Sequence, residues 1–232
     1  MHAIPTLRTA ARARYSLPVT LLVLLLVCSC ASRRPFIADS VNAQADQETA
    51  VADAAAFQAD LSETYLDPER TILSESKLAR LQALGGLNFY PIDPAYVVVA
   101  DFTRYSEPEI IEMKTSSARL AEFRVYGRAT FELQGEELAL DVYETTNPNV
   151  PEEYAGLLFL PFRDATSGKE TYGGGRYIDL PSPEGDELLI DFNQAYQPYC
   201  AYSDGFSCPV PPAQNDMTVA IRAGVRTTEL GD

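Results

Sequence analysis

Residues 96–223 contain a series of short runs of β-forming residues, and turn-forming residues rather than helices separate these runs. The runs cover residues 96–104, 109–115, 122–126, 129–133, 138–143, 157–162, 176–180, 187–192 and 217–223. Consecutive strands without crossover helices pair in antiparallel fashion. The sequence therefore predicts a mainly β (α+β) fold, built as an antiparallel β-sandwich or a barrel-like sheet.

The clearest hairpin is predicted between residues 129–133 and 138–143, with the turn at Gln134-Gly135-Glu136. Apolar residues alternate along both runs, as expected for strands with one buried face. The predicted inward set is Ala129, Phe131, Leu133, Leu138, Leu140 and Val142.

Two helices are predicted before the strands. Apolar residues recur at helical spacing over residues 47–66, and Asp67-Pro68 follows this run. A second, shorter helix is expected to begin after Ser74 as its N-cap and to end at Gly85-Gly86.

The first 29 residues have the features of an export signal. Arg8, Arg12 and Arg14 precede an apolar run at residues 19–27, which is too short for the roughly 20 residues of a spanning helix. The run leads into Val27-Cys28-Ser29-Cys30, which resembles the lipobox of bacterial lipoproteins. The segment is thus predicted to be a lipoprotein signal peptide, with an uncleaved membrane anchor as the alternative. Cys30 would carry the lipid, including palmitate, whereas Cys28 fits less well because Val27 is not small.

Residues 30–46 are small and polar, and they predict a flexible tether to a single globular domain at 47–232. The formal charge of −15 falls to −18 after cleavage, because the signal segment holds three arginines and no acidic residue. Such a surface disfavours nucleic acid as a partner. Ala31 and Ser32, rather than aspartate, follow Cys30. The predicted location is therefore the outer membrane, on the periplasmic or the surface side of the cell envelope.

The only histidine, His2, lies within the predicted signal peptide. A mature protein without histidine cannot use a Ser-His-Asp or Cys-His mechanism, and it cannot offer imidazole to zinc or haem. We predict no cofactor and no metal site.

Cys200 and Cys208 are the cysteines of the predicted domain. They flank the turn-forming pair Asp204-Gly205 in an exported protein, which favours a disulfide. A redox pair or a pair of thiolate metal ligands is the alternative.

Polar residues concentrate in two stretches, at residues 164–176 and 191–199. A hairpin between runs 176–180 and 187–192, connected by residues 181–186, would bring both stretches to one end of the sheet. Burying Arg176 without a partner would also be costly, so a carboxylate is expected beside it. The candidate ligand pocket comprises Asp164, Thr166, Glu170, Tyr172, Arg176, Asp191, Asn193, Tyr196 and Tyr199. Alternatively, these carboxylates hold a hard cation such as calcium, or the residues only cap turns.

Several sequence blocks within residues 65–226 resemble the bacterial family called domain of unknown function 1684. They are residues 86–93 (GLNFYPID), 112–115 (EMKT), 158–170 (LFLPFRDATSGKE), 171–177 (TYGGGRY), 191–196 (DFNQAY) and 198–209. The chain is similar to the shorter branch of that family, which lacks an additional N-terminal portion. The resemblance implies no activity.

Two classes of function are consistent with these features. The preferred interpretation is a non-catalytic envelope lipoprotein that binds a small ligand, a glycan or a protein partner. The alternative is a histidine-free hydrolase that uses Asp164, Glu170 or Asp191 as its acid and base.

Overall fold

The computed structural model describes residues 36–150 and 155–231. The helices are α1 (Phe36–Leu66) and α2 (Glu75–Leu84). The strands are β1 (Val97–Arg104), β2 (Ile110–Lys114), β3 (Leu120–Leu133), β4 (Glu136–Thr145), β5 (Leu157–Phe162), β6 (Arg176–Pro181) and β7 (Glu187–Asp191). The predicted signal peptide and Cys30 lie outside the described residues.

Both predicted helices are present. α2 begins after Ser74, whose hydroxyl accepts a hydrogen bond from the Lys77 backbone N–H, and Gly85 ends it in the left-handed conformation. α1 begins at Phe36 rather than at Gln47, so the backbone of residues 36–46, assigned above to a tether, is helical. Within the two described ranges, no helix has the length and apolar character needed to cross a bilayer.

The strands form one antiparallel sheet in the order β6-β5-β4-β3-β1-β7, with β2 paired to the first part of β3. The sheet curls into a half-barrel, so the predicted fold class is confirmed in its barrel-like form. The β3–β4 hairpin is confirmed, with Phe131 opposite Leu138 and the turn at Gln134-Gly135, where both φ angles are positive. The runs predicted at 122–126 and 129–133 are one strand, interrupted by a shift in register between Val125 and Gly127.

The predicted hairpin between residues 176–180 and 187–192 is wrong. β6 pairs with β5, and β7 pairs with β1, so these two strands are the opposite edges of the sheet. The link at residues 182–186 spans at most about 20 Å, and it therefore requires the two edges to curl towards each other. Between the edges, the segment 192–196 pairs with β6 through Tyr196 and Tyr177.

Residues 217–223 were predicted to form a strand, and this is also wrong. The segment from Met217 to Arg226, here called the C-terminal strap, has an irregular backbone. Its residues Met217, Ile221 and Ala223 nevertheless pack into the main core inside the half-barrel, together with Phe192 and other apolar residues. The strap therefore helps to cover the open side of the sheet.

Two smaller apolar clusters lie outside this core. One joins the helices to Leu87 and Tyr202, and the other packs around Met113, Phe123 and Tyr143 near β2. The predicted disulfide joins Cys200 and Cys208, whose Cα atoms are 6.3 Å apart.

Candidate functional site

Arg176 begins β6 and is almost fully buried, with 1% of its side chain exposed. Its Nη2 donates to Asp164 Oδ2 at 2.7 Å and to the Ile221 carbonyl at 2.7 Å. Its Nη1 donates to the carbonyls of Ala223 and Val225. Burial lowers the pKa of the guanidinium, whereas Asp164 acts in the opposite direction. The buried guanidinium therefore supplies the hydrogen-bond donors that a neighbouring strand would otherwise offer to the strap carbonyls.

Asp164 follows the last residue of β5 by two positions and lies next to Arg176, because Phe162 is opposite Arg176 in the β5–β6 pair. Its Oδ1 accepts hydrogen bonds from the N–H and the hydroxyl of Thr166, and its Oδ2 accepts the Ile221 N–H. The Thr166 and Thr171 hydroxyls are 2.9 Å apart. The carboxylate thus has a full set of partners within the chain, and the turn is closed by its own side chains.

Glu170 belongs to a second, more exposed network at the same turn. Arg222 of the strap forms a two-pronged ion pair with it, and the Tyr90 hydroxyl donates to it at 3.0 Å. The guanidinium of Arg226 lies 5.0 Å from the centre of the Tyr90 ring. Hydrogen bonds from Arg222 and then Tyr90 lower the pKa of Glu170 to about 2. Burial and the bond to Glu170 raise the pKa of Tyr90 to about 12.

We expect the Glu170 carboxyl to titrate near pH 2 and the Arg222→Ala variant to bring its pKa back towards the ordinary value of 4.5. Because the folded-state pKa is depressed, the stabilisation from this network is present above pH 4.5 and is lost as the pH falls towards 2. Carboxyl ¹³C chemical shifts measured during an acid titration check both values. An unchanged titration in Arg222→Ala would contradict this account.

Asp191 and Asn193 form a third network at the end of β7. The Asp191 carboxylate accepts hydrogen bonds from the Asn193 backbone and side chain and from Gln194. The Asn193 amide bonds to both backbone groups of Asp93, and Gln58 of α1 donates to the Asn193 carbonyl. These residues cap a turn and attach α1 to the sheet.

The tyrosines of the candidate pocket occupy separate positions. The Tyr196 hydroxyl donates to Asp179 at 2.7 Å, and burial raises the pKa of that carboxyl. The Tyr172 ring lies so close to Gly174 that a Cβ there would approach it to 2.3 Å. Tyr199 is 44% exposed and packs against Tyr65 and Phe206.

The structure therefore brings Arg176 and Asp164 into direct contact but leaves Asp191 in a network of its own. The expectation of a carboxylate beside Arg176 is confirmed, whereas the hairpin that was to bring Asp191 beside it does not exist. Asp164, Glu170 and Asp191 each bond to partners within the chain. This agrees with the alternative interpretation, in which these residues only cap turns. In residues 36–150 and 155–231, no group of three or more Cys, His, Asp or Glu side chains is arranged to hold a metal ion.

Sequence reasoning missed Asn215, which is fully buried. Its Nδ2 donates to the carbonyls of Asp141 and Pro161, and its Oδ1 accepts the Asp141 N–H. The side chain thus connects β4 and β5, which are paired in register at Tyr143 and Phe159. The only signal in the sequence is an asparagine in a proline-rich segment that has no strand or helix pattern.

The family model described as "Protein of unknown function (DUF1684)" matches residues 82–226. The chain is also similar to the solution NMR structure of an uncharacterised protein from Haloarcula marismortui. The two are 32% identical, the match covers 81% of this chain and 98% of that one, and the TM-score is 0.62. No protein of curated function matches the chain.

Proposed function

The chain belongs to the family of proteins of unknown function called DUF1684, and we propose that it is a lipid-anchored protein of the bacterial cell envelope whose domain binds a ligand without catalysis. The anchor is the lipid on Cys30. The location is the outer membrane, in a host that has two membranes.

The anchor is supported by the order of three features at the start of the sequence: a basic segment, an apolar run and then Val27-Cys28-Ser29-Cys30. Helix α1 begins six residues after Cys30 and has 31 residues, which corresponds to about 46 Å. The end of α1 packs on the domain through Ala54, Gln58 and Tyr65, so only its first part, about 18 residues or roughly 27 Å, would separate the domain from the lipid.

The observation that favours binding over catalysis is the state of the three candidate carboxylates. Asp164 pairs with Arg176, Glu170 pairs with Arg222, and Asp191 caps its own turn. A hydrolase that uses paired carboxylates needs two of them to face one substrate. These residues instead belong to three separate networks, which is the arrangement expected of structural side chains.

Changing Cys30 to alanine is expected to abolish labelling with palmitate and to release the protein from the membrane fraction. Cys28→Ala is the matched control, since it removes the neighbouring thiol but leaves the preferred lipidation site, and it should change neither result. Metabolic labelling followed by fractionation of the membranes provides the measurement. Undiminished labelling of Cys30→Ala would overturn the anchor, and recovery of the wild-type protein in the inner membrane would overturn the proposed location.

A further inference from the structure

A groove opens where β3 changes its partner from β1 to β2. The last β1 pair joins Arg104 to Gly127, and the first β2 pair joins Ile110 to Arg124. The register of β3 shifts between Val125 and Gly127, so Tyr126 is an extra residue at this point. The groove has a volume of about 440 Å³ and is lined by Arg104, Tyr105, Ser106, Arg124, Tyr126 and Glu144, among others. Bulges of this kind often occur beside binding sites, where they redirect a side chain.

The floor of this groove is held rigidly. Tyr126 is 6% exposed, and its ring stacks on Phe102 with 6.1 Å between ring centres. Its hydroxyl lies 2.7 Å from the Ser182 hydroxyl. These contacts fix the position of the Tyr126 ring in the groove.

Arg104 lies over this floor, with its guanidinium carbon 4.5 Å from the centre of the Tyr126 ring. The ring face attracts the cation and orients it, but it leaves the edge of the guanidinium able to donate hydrogen bonds. Arg104 forms no ion pair with any residue in the described part of the chain. Arg104 is thus a positioned and exposed cation that has no carboxylate partner among the described residues.

The other charged residues of the groove lining form a pair. Arg124 bonds to Glu144 across β3 and β4, and both side chains are more than a third exposed. The lining therefore carries one excess positive charge, in a chain whose formal charge is −15. Glu107 and Glu109 occur in the same connection, but neither lines the groove. A local cation on so acidic a protein favours a small anion that can approach one arginine closely.

We propose that this groove binds a small aromatic anion. The carboxylate or phosphate of the ligand would contact Arg104, and its aromatic ring would lie against Tyr105. This inference rests on the proposed binding function and names the class of ligand for it. The two-pronged geometry of guanidinium suits both carboxylate and phosphate, and the groove volume is in the range of small-molecule sites.

To test this, the full chain in detergent micelles is titrated with phenyl phosphate and with benzoate. Binding is measured by calorimetry and by the NMR signals of the arginine Nε groups. At least one probe should bind and shift the Arg104 signal, and Arg104→Gln should weaken binding about tenfold or more. Arg163→Gln is the matched control, because Arg163 is also partly exposed but is paired with Asp216. It should leave the affinity unchanged.

The probes also separate the possible failures. Equal binding of inorganic phosphate and phenyl phosphate would overturn the contribution of the ring. Unchanged affinity in Arg104→Gln, or shifts confined to Arg222 and Arg226, would overturn the groove while leaving a binding function in place. If neither probe binds at millimolar concentration, the anion assignment is wrong, whereas the anchor is judged separately by the Cys30 labelling experiment.

Discussion

Replacing Arg176 by alanine is expected to lower the free energy of unfolding by about 3–5 kcal/mol, the cost of removing one partner from a buried ion pair. The substitution leaves Asp164 buried without its cation, and it takes the donor away from three strap carbonyls. The thermal midpoint should fall by roughly 10 °C in a domain of this size. Urea unfolding followed by circular dichroism gives the free energy directly.

Arg163→Ala provides the control for Arg176, because its ion pair with Asp216 has side chains that are 32% and 42% exposed. Its effect should stay within about 1 kcal/mol. A double variant, Arg176→Leu with Asp164→Leu, separates the two roles of Arg176. It removes the unpaired charge, but it leaves the strap carbonyls without a donor and the Thr166 and Ile221 N–H groups without their acceptor, so we expect only partial recovery. Complete recovery would show that the hydrogen bonds to the strap contribute little.

Replacing Asn215 by alanine is expected to destabilise the domain by about 2–4 kcal/mol. Three buried backbone groups of Asp141 and Pro161 lose their partner, and an unsatisfied buried polar group costs about 1–3 kcal/mol. The Asp141 amide should also exchange its hydrogen faster. Urea unfolding and amide hydrogen exchange measure the two effects.

Asn215→Asp tests the orientation of this amide. It keeps an acceptor for the Asp141 N–H but places the second carboxylate oxygen against two carbonyls, so it should destabilise at least as much as alanine. Asn147→Ala is the control, since the Asn147 side chain is exposed and accepts a hydrogen bond from the nearby Asn149 N–H. An unaltered exchange rate for Asp141 in Asn215→Ala would contradict the proposed bridging role.

Local patterns predicted most of the elements. Alternation at Ala129, Phe131 and Leu133 predicted the β3–β4 hairpin, and Ser74 and Gly85 predicted the bounds of α2. These features depend on near neighbours in the chain, and so the sequence carries them directly.

The strap shows why the remainder could not be predicted. Met217, Ile221 and Ala223 do face the core, as their alternation indicates, but their backbone does not join the sheet. The alternation of apolar residues indicates which side chains are buried, but it does not indicate which groups form hydrogen bonds with the backbone. Here an arginine side chain supplies the donors, and no spacing rule predicts such a contact. The wrong hairpin has a similar cause, because a short connection can also link the two edges of a curled sheet.

The bonds between Arg176 and the strap also determine the order in which the domain can assemble. The acceptors for its guanidinium lie 45 to 49 residues further along the chain. During synthesis, β5 and β6 therefore exist before the carbonyls that Arg176 needs have been made. Loops of this length close late, and burying the arginine earlier would leave its donors unsatisfied. The half-barrel can consequently complete its core only after the strap has been synthesised.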